Sequence, residues 1–288
     1  TYTGGIEHAT MHLIYTRFFH KACRDLGITR GPEPMLQLYN QGIILGEDSE
    51  KMSKSRGNVI APDELVRQYG ADIVRAYLMF FARWDLGGPW NSSGIEGTVR
   101  WIRRVWNLFT EATGEGGEAG TPPPEDMRAL RRKVHQTLQQ VTHDFENFEF
   151  NTVVSALMEL LNEMYKFNDQ AVVGTLEWEE AVDFYLRMMA PIAPHVAEEL
   201  WTVHLGKPYS VHTQAWPEFD AEAAQEDEIT LVVQVNGKVR DRIQVPADIG
   251  EEEAKETALS SEAIQKHLDG ELPKKVILVP GKLVNIVI

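Results

Sequence analysis

Residues 51–58 read Lys51-Met52-Ser53-Lys54-Ser55-Arg56-Gly57-Asn58, placing three cations, two hydroxyls and a glycine in one short segment. The segment follows an apolar run at 42–45 and precedes a helical pattern that opens at Pro62. Lysine ammonium groups are mobile point charges, serine hydroxyls add short donors, and a glycine lets backbone amides come close to an anion. Together they suit a polyphosphate whose charge grows during a reaction. By composition alone an exposed basic turn fits equally well, because short Lys/Arg-rich runs are common on surfaces.

Upstream, Gly4-Gly5 lead into Glu7, His8 and the spaced apolar residues Met11, Leu13, Ile14, Phe18 and Phe19. This reads as a glycine turn feeding a helix. Glycines there let the backbone approach a nucleotide, and an acidic side chain at the helix entrance accepts ribose hydroxyls. His8 and His12 are four apart and are expected on one helix face. Two histidines so spaced can bind a metal or wall a pocket, and the lack of a third ligand nearby in sequence favours the pocket. Residues 36–45 read as a strand of a parallel, doubly wound sheet, and 46–50 as a short acidic connection into Lys51.

Residues 51–55 spell KMSKS, and with Glu50 and the following Arg56-Gly57-Asn58-Val59 they resemble the signature loop of class I aminoacyl-tRNA synthetases. The run Thr3-Gly4-Gly5-Ile6-Glu7-His8-Ala9, with His12-Leu13-Ile14-Tyr15 and Arg17-Phe18-Phe19-His20-Lys21, resembles the leucyl-tRNA synthetases within that class. The resemblance implies that Gly4, Gly5 and Glu7 lie against the adenosine of ATP or of leucyl-adenylate, and that His8 and His12 line the leucine pocket. It makes Lys51, Met52, Ser53, Lys54 and Ser55 the rest of the ATP site. Lys54 would stabilise charge on the departing pyrophosphate, with Lys51 assisting or holding the loop, and Mg2+ would bridge the phosphates.

Downstream, Pro62, Asp63 and Glu64 open a helix that Gly70 stops, and a second helix is expected over 71–81. Asp72 and Arg75 there read as a helix-surface ion pair. Residues 84–91 are loop by composition, and a helix follows with Val99, Ile102, Val105, Trp106 and Phe109 on one side and Arg100, Arg103 and Arg104 on the other. That arginine side reads as a solvated face or as an RNA-facing one. Residues 111–124 form a Gly/Pro/Glu linker expected to be a flexible loop. Amphipathic helices over 128–145, 148–167, 178–189 and 194–205 then make an all-α bundle whose Met and aromatic residues are core. The junction at 189–201, with Pro191, Pro194 and His195, resembles the class I anticodon-binding bundle, and His195 reads as a structural helix-start residue.

Residues 228–288 form a separate unit. Alternating runs flank Asn236-Gly237, a strong hairpin signal. A helix over 251–268 and strands over 274–279 and 282–288 complete a small ββαββ, α+β module. It resembles the C-terminal domain of bacterial leucyl-tRNA synthetases, which makes Lys238, Arg240, Arg242, Lys274, Lys275 and Lys282 candidate tRNA phosphate contacts. Such charges on strand edges also serve to block edge pairing.

The fold expected is therefore multidomain. Residues 1–60 are the C-terminal part of a Rossmann-like α/β nucleotide fold, 61–94 connecting helices and loop, 95–225 an anticodon-binding-type helical bundle, and 228–288 the terminal module. With 43% hydrophobic residues each part can bury a core. The net charge of -15 is unevenly spread: residues 1–110 carry 13 Lys/Arg against 11 Asp/Glu, 111–227 carry 7 against 22, and 228–288 carry 8 against 10. RNA contact is easier to place on the two ends than on the acidic middle. The single Cys23 excludes a disulfide framework and a cysteine-cluster zinc site. No apolar stretch spans a bilayer and no leader-like series opens the chain, so a cytoplasmic protein without membrane contact is expected.

The resemblance implies activation of leucine by ATP and transfer to tRNA(Leu). The family's second signature, HIGH, does not occur in this sequence. The chain is accordingly expected to supply one half of an active site and to need an N-terminal half, in the same polypeptide or as a separate subunit, as well as to lack the editing domain. The alternatives are a non-catalytic tRNA-binding or interaction protein derived from a synthetase, which has no need of an intact Lys51, Lys54, Glu7 and His8, and an isoleucyl- or valyl-type fragment.

Overall fold

The computed structural model describes residues 1–111, 122–167, 171–225, 228–246, 249–268, 273–279 and 281–288, which divide into two compact units, 1–220 and 221–288. Of the linker expected at 111–124, residues 112–121 lie outside the described residues. Glu111 ends one helix and Pro124 opens the next.

The first unit begins with strand β1 (Tyr2–Gly5), a 3-10 turn (Ile6–Thr10) and helix α1 (His12–Asp25). Where one strand is expected over 36–45, two form: β2 (Leu38–Gln41) pairs in parallel with β1, and β3 (Ile43–Leu45) pairs in parallel with β4 (Gly87–Pro89). The segment around β4 was expected to be loop. Its glycines form a strand because the two backbones touch: a Cβ on Gly42 would lie 2.1 Å from the Gly87 nitrogen, and one on Gly87, at φ 65°, would lie 2.2 Å from the Ile43 carbonyl oxygen. Only glycine fits at both positions, so composition misreads a strand as a turn.

Helices α2 (Pro62–Tyr69) and α3 (Ala71–Phe80) meet at Gly70, at φ 91°. The bundle comprises α4 (Ile95–Glu111), α5 (Pro124–Glu146), α6 (Phe150–Lys166), α7 (Leu176–Met189) and α8 (Pro194–Glu199), the last continuing as a wider π turn (Leu200–His204). Leu108, Leu130, Leu138, Leu157, Leu161 and Met188 are among the fully buried side chains of its core. Trp101 donates to the Tyr185 hydroxyl, which donates to the Leu157 carbonyl, so the phenol is satisfied; burial raises its pKa far above the ordinary value.

Asp72 and Arg75 do not form the surface pair expected of them. Asp72 is buried and reaches across to α8, accepting from the Val196 amide at 2.8 Å and bonding His195 Nδ1 at 2.7 Å. Arg75 donates to the carbonyls of Pro191 and Ile192. One carboxylate thus caps a helix that the local sequence leaves uncapped, and His195 takes the structural place read for it.

In the second unit β5 (Glu228–Val235) and β6 (Lys238–Pro246) form the hairpin around Asn236-Gly237, both at positive φ. Helices α9 (Glu251–Ser260) and α10 (Glu262–Leu268) replace the single helix expected, broken at Ser261, whose hydroxyl donates to Asp241. Strands β7 (Lys275–Val279) and β8 (Leu283–Val287) complete a sheet ordered β6-β5-β8-β7, with β5 and β8 parallel. Leu231, Val233, Val284 and Ile286 on one sheet face pack against Ala254, Ala258, Ile264 and Leu268.

Replacing Asp72 by Ala leaves the Val196 amide without its acceptor beside the bundle core. We expect a loss of about 1–3 kcal/mol in urea unfolding of the first unit, within the range for a buried group deprived of its partner.

Candidate active site

The loop at 51–58 is pinned at both ends. Lys51 forms an antiparallel bridge with Leu45, and the Gly46 amide donates to the Glu50 carbonyl at 2.8 Å, so 46–50 is a tight turn with Ser49 at φ 61°. Asp48 Oδ1 accepts from the Glu50 amide at 3.0 Å, and both Asp48 oxygens accept from Asn58 Nδ2 at 3.2 and 3.0 Å. Asn58 Oδ1 accepts from the Ser53 amide at 2.8 Å. Within the loop, the Ser53 and Ser55 hydroxyls bond each other at 2.8 Å, and Gly57, at φ 71°, turns the backbone so that its amide points back to Ser53 and Lys54.

Met52 lies inward of these polar contacts. It packs with Ile44, Ile60 and Leu65 against the cluster of Val74, Tyr77, Trp90 and Ile95. The cluster is braced by the Ser92 hydroxyl and amide, which hold the Glu47 carboxyl below the usual range, with the amide 3.1 Å from Oε1. The exposed cations are used unequally. Arg56 pairs with Glu50 at 2.9 Å, whereas Lys51 and Lys54 have no ion-pair partner among the described residues.

Gly5 and Glu7 come together at a cavity of about 410 Å³, which Gln41, Gly42, Trp84 and Phe150 also line. The Glu7 carboxylate folds over Gly5, so close that a Cβ on Gly5 would lie 2.5 Å from Oε2. Gly4, His8, His12 and the loop cations do not line this cavity. His8 and His12 do not share a helix face either: the chain breaks at Met11 (φ -119°, ψ -95°), leaving His8 in the 3-10 turn and His12 at the start of α1. His12 instead stacks on Tyr2, whose hydroxyl lies 2.9 Å from Nδ1. Among the described residues no three His, Cys, Asp or Glu side chains gather as a metal site.

The six basic candidates of the second unit are all exposed. Arg240 and Arg242 sit on edge strand β6 and Lys275 on the opposite edge strand β7, with Lys238, Lys274 and Lys282 at strand ends. On α4, Arg104 bonds Asn162 and stacks over Tyr165, whereas Arg100 and Arg103 face solvent. Asp48, Asn58 and Glu47 are the residues that pattern reading missed. Asn58 is visible only as a flank of the loop, and no local spacing signals a pair ten residues apart.

Two family descriptions match the chain: "tRNA synthetases class I (I, L, M and V)" over residues 11–84, and "Anticodon-binding domain of tRNA ligase" over 127–255. A leucine–tRNA ligase of Dehalococcoides mccartyi is 53% identical over 287 residues, covering 100% of this chain and 35% of that protein. One of Deinococcus radiodurans is 51% identical, covering 99% and 34%. The chain belongs to the leucyl-tRNA synthetase family. It spans about a third of the length of these leucyl-tRNA synthetase relatives. A solved leucyl-tRNA synthetase of Agrobacterium radiobacter K84, in ternary complex with tRNA and LeuAMS, superposes with a TM-score of 0.83 at 34% identity, over 99% of this chain and 37% of that one. The Mycobacterium tuberculosis methionyl-tRNA synthetase solved with methionyl-adenylate shares the fold over 72% of this chain and 44% of its own, with a TM-score of 0.57 and 20% identity.

The Asp48 carboxyl sits below its ordinary pKa, chiefly through the Glu50 amide and then through Asn58. A depressed folded pKa means that the contact is complete above the unfolded value and is lost as pH falls through the folded one. Carboxyl-carbon NMR should show Asn58→Ala moving the Asp48 titration upward only part of the way, because the larger contribution, from the Glu50 amide, remains.

Proposed function

We propose that this chain is the portion of a leucine–tRNA ligase that supplies the KMSKS half of the active site, over 1–60, together with an anticodon-binding-type bundle and a C-terminal tRNA-binding module. The reaction is attack of the leucine carboxylate on the α-phosphorus of ATP, with loss of pyrophosphate, followed by transfer of leucine to the terminal ribose of tRNA(Leu). The observation that carries this reading is the pair Lys51 and Lys54: two ammonium groups without an ion-pair partner among the described residues, on a loop pinned at both ends, in a chain 53% identical to a leucine–tRNA ligase. As the bond to the leaving pyrophosphate breaks, negative charge accumulates on its oxygens, and we assign Lys54 to stabilising it, with Lys51 assisting or holding the loop. Gly4, Gly5 and Glu7 are assigned to the adenosine, Met52, Ser53 and Ser55 to shaping the phosphate side, and His8 and His12 to the leucine pocket. Mg2+ is assigned to bridging the nucleotide phosphates.

The nucleotide fold needs a partner surface. Helix α1 buries none of its residues, and Phe18 and Tyr15 are 72% and 66% exposed. The crossover helix of a parallel sheet ordinarily covers apolar surface, and β1 and β2 form only a two-stranded pair. Since the relatives are about three times as long, we assign this face to the N-terminal portion of the synthetase, in the same polypeptide or as a separate subunit, and place the assembled enzyme in the cytoplasm. Among the described residues no helix is long and apolar enough to cross a membrane.

With the N-terminal portion present, Lys54→Ala should lower leucine-dependent ATP–pyrophosphate exchange by about 100- to 1,000-fold, the scale for removing one charge-stabilising donor. Binding of tRNA(Leu) and thermal stability should be unchanged. Exchange retained in the variant would remove the catalytic reading and leave the non-catalytic tRNA-binding one; exchange near that of a complete enzyme by the chain alone would remove the need for the other portion.

A further inference from the structure

We infer that Asp48 and Asn58 act together as positioning residues for the activation step, a latch that fixes where the Lys51 and Lys54 ammonium groups stand. The inference rests on the assignment of the loop to pyrophosphate made above. A loop of flexible lysines on a glycine hinge has no intrinsic reason to present its charges at one place. Three features of this loop restrict it, and only one is apolar. Met52 holds the loop's inner side against the cluster of Val74, Tyr77, Trp90 and Ile95. The second is Lys51's bridge to Leu45. The third is polar and spans the whole loop: Asp48, before it, accepts both from the Glu50 amide and from Asn58 Nδ2, and Asn58, at its end, accepts from the Ser53 amide with its Oδ1.

The hydrogen-bond inventory of the pair explains why these residue types stand there. A carboxylate only accepts, whereas an amide both donates and accepts. Asp48 takes N–H groups from Glu50 and Asn58, whereas Asn58 gives its Nδ2 hydrogens to Asp48 and, at 3.4 Å, to the Lys51 carbonyl and takes the Ser53 amide, so the acid and the amide each match their task. The Ser53 amide is the contact that matters for the lysines, since Ser53 lies between Met52 and Lys54 and its carbonyl accepts from the Arg56 and Gly57 amides. Releasing Ser53 frees the turn that carries Lys54. Asp48 also carries a second burden: it sits among cations and would attract them, but its oxygens are engaged by the Glu50 amide and by Asn58, and Glu50 is engaged by Arg56 at 2.9 Å. The acids nearest the loop are therefore occupied by partners other than Lys51 and Lys54.

The same inventory supplies a test in which the parts can be exchanged. Asn58→Asp alone places two carboxylates face to face and removes the bonds donated to Asp48 and to the Lys51 carbonyl. The double variant Asp48→Asn/Asn58→Asp restores one amide and one carboxylate in reversed places: the amide at 48 accepts from the Glu50 N–H and donates to the carboxylate at 58, which still accepts from the Ser53 N–H, and only the long 3.4 Å bond to the Lys51 carbonyl stays lost. Each variant is assayed with the N-terminal portion of the synthetase present, by ATP–pyrophosphate exchange and by single-turnover transfer from preformed leucyl-adenylate to tRNA(Leu). Asn58→Asp should lower exchange by about 10- to 100-fold, the scale for a small misplacement of a catalytic group. Transfer from preformed adenylate, in which pyrophosphate takes no part, should stay within about twofold of the wild type, since no charge-stabilising contact of that step is altered. The double variant should recover most of the exchange.

An unchanged rate in Asn58→Asp, or a double variant no better than the single one, overturns the latch. Equal loss in exchange and in transfer, with a lowered melting temperature, also overturns it, because that is the signature of a merely structural pair. Lys54→Ala assayed alongside separates the two levels of the argument: if it too retains exchange, the assignment of the loop to pyrophosphate has failed, whereas loss in Lys54→Ala with no loss in Asn58→Asp sinks only the latch.

Discussion

Helix α3 has to bury two faces at once, and the arrangement of the first unit follows from that. Val74 and Tyr77 close the small cluster that carries Met52, while Ala76 belongs to the core of the bundle and Ile73 packs against both. A ten-residue helix with apolar residues on both sides cannot sit at a surface. Its two hydrophilic residues are placed accordingly, Asp72 capping α8 and Arg75 holding the carbonyls of Pro191 and Ile192. Helix α3 thus joins the apolar anchor of the loop to the core of the bundle.

A second tie between the nucleotide fold and the bundle is aromatic. Phe148, in the tight connection between α5 and α6 at φ 61°, stacks on Tyr39 of β2 with ring centroids 4.6 Å apart, and the Tyr39 hydroxyl donates to the Asn147 carbonyl. Trp84 meets both Phe148 and Phe150, and Phe150 lines the cavity that holds Glu7. A non-glycine residue at positive φ is tolerated where surrounding contacts hold it, and these rings provide such contacts.

Much of this was legible in the sequence because it rests on short-range patterns. The Asn236-Gly237 hairpin, the proline starts of α2 and α8 and the apolar stripes of α4 to α7 all follow from rules that operate within one element. The loop itself was legible through its wording. What escaped depends on partners far apart in the chain. Gly42 and Gly87 are glycines because each faces the other's backbone, and nothing near Gly87 announces a strand. Asp72 looked like half of a surface pair because Arg75 stands at the favoured spacing, whereas its partners are more than a hundred residues away. The helix expected over 251–268 breaks at Ser261, whose hydroxyl finds Asp241 on β6. His8 and His12 had the right spacing for a shared face and lost it to one non-helical residue, Met11.

The electrostatics of the loop also could not be read from charge counts. With 43 acids against 28 lysines and arginines, a cation in this chain meets carboxylates easily, and many do: Arg17 with Glu33, Arg131 with Glu180 and Asp220, Lys207 and Arg187 with Asp183, Lys255 with Glu251 and Glu252. Exposed pairs of this kind contribute little to stability, so their absence costs little too. Leaving Lys51 and Lys54 without ion-pair partners among the described residues therefore requires only that neighbouring acids be engaged elsewhere, and the three acids at 47–50 are: Glu47 by Ser92, Asp48 by the Glu50 amide and Asn58, Glu50 by Arg56. Under the assignment proposed for the loop, a polyphosphate would meet two ammonium groups that need not first break an ion pair, and the attraction would act within a Debye length of roughly 8 Å at physiological salt. An acidic protein can in this way keep a cationic loop available to an anion, because the acids beside the loop in sequence are already engaged.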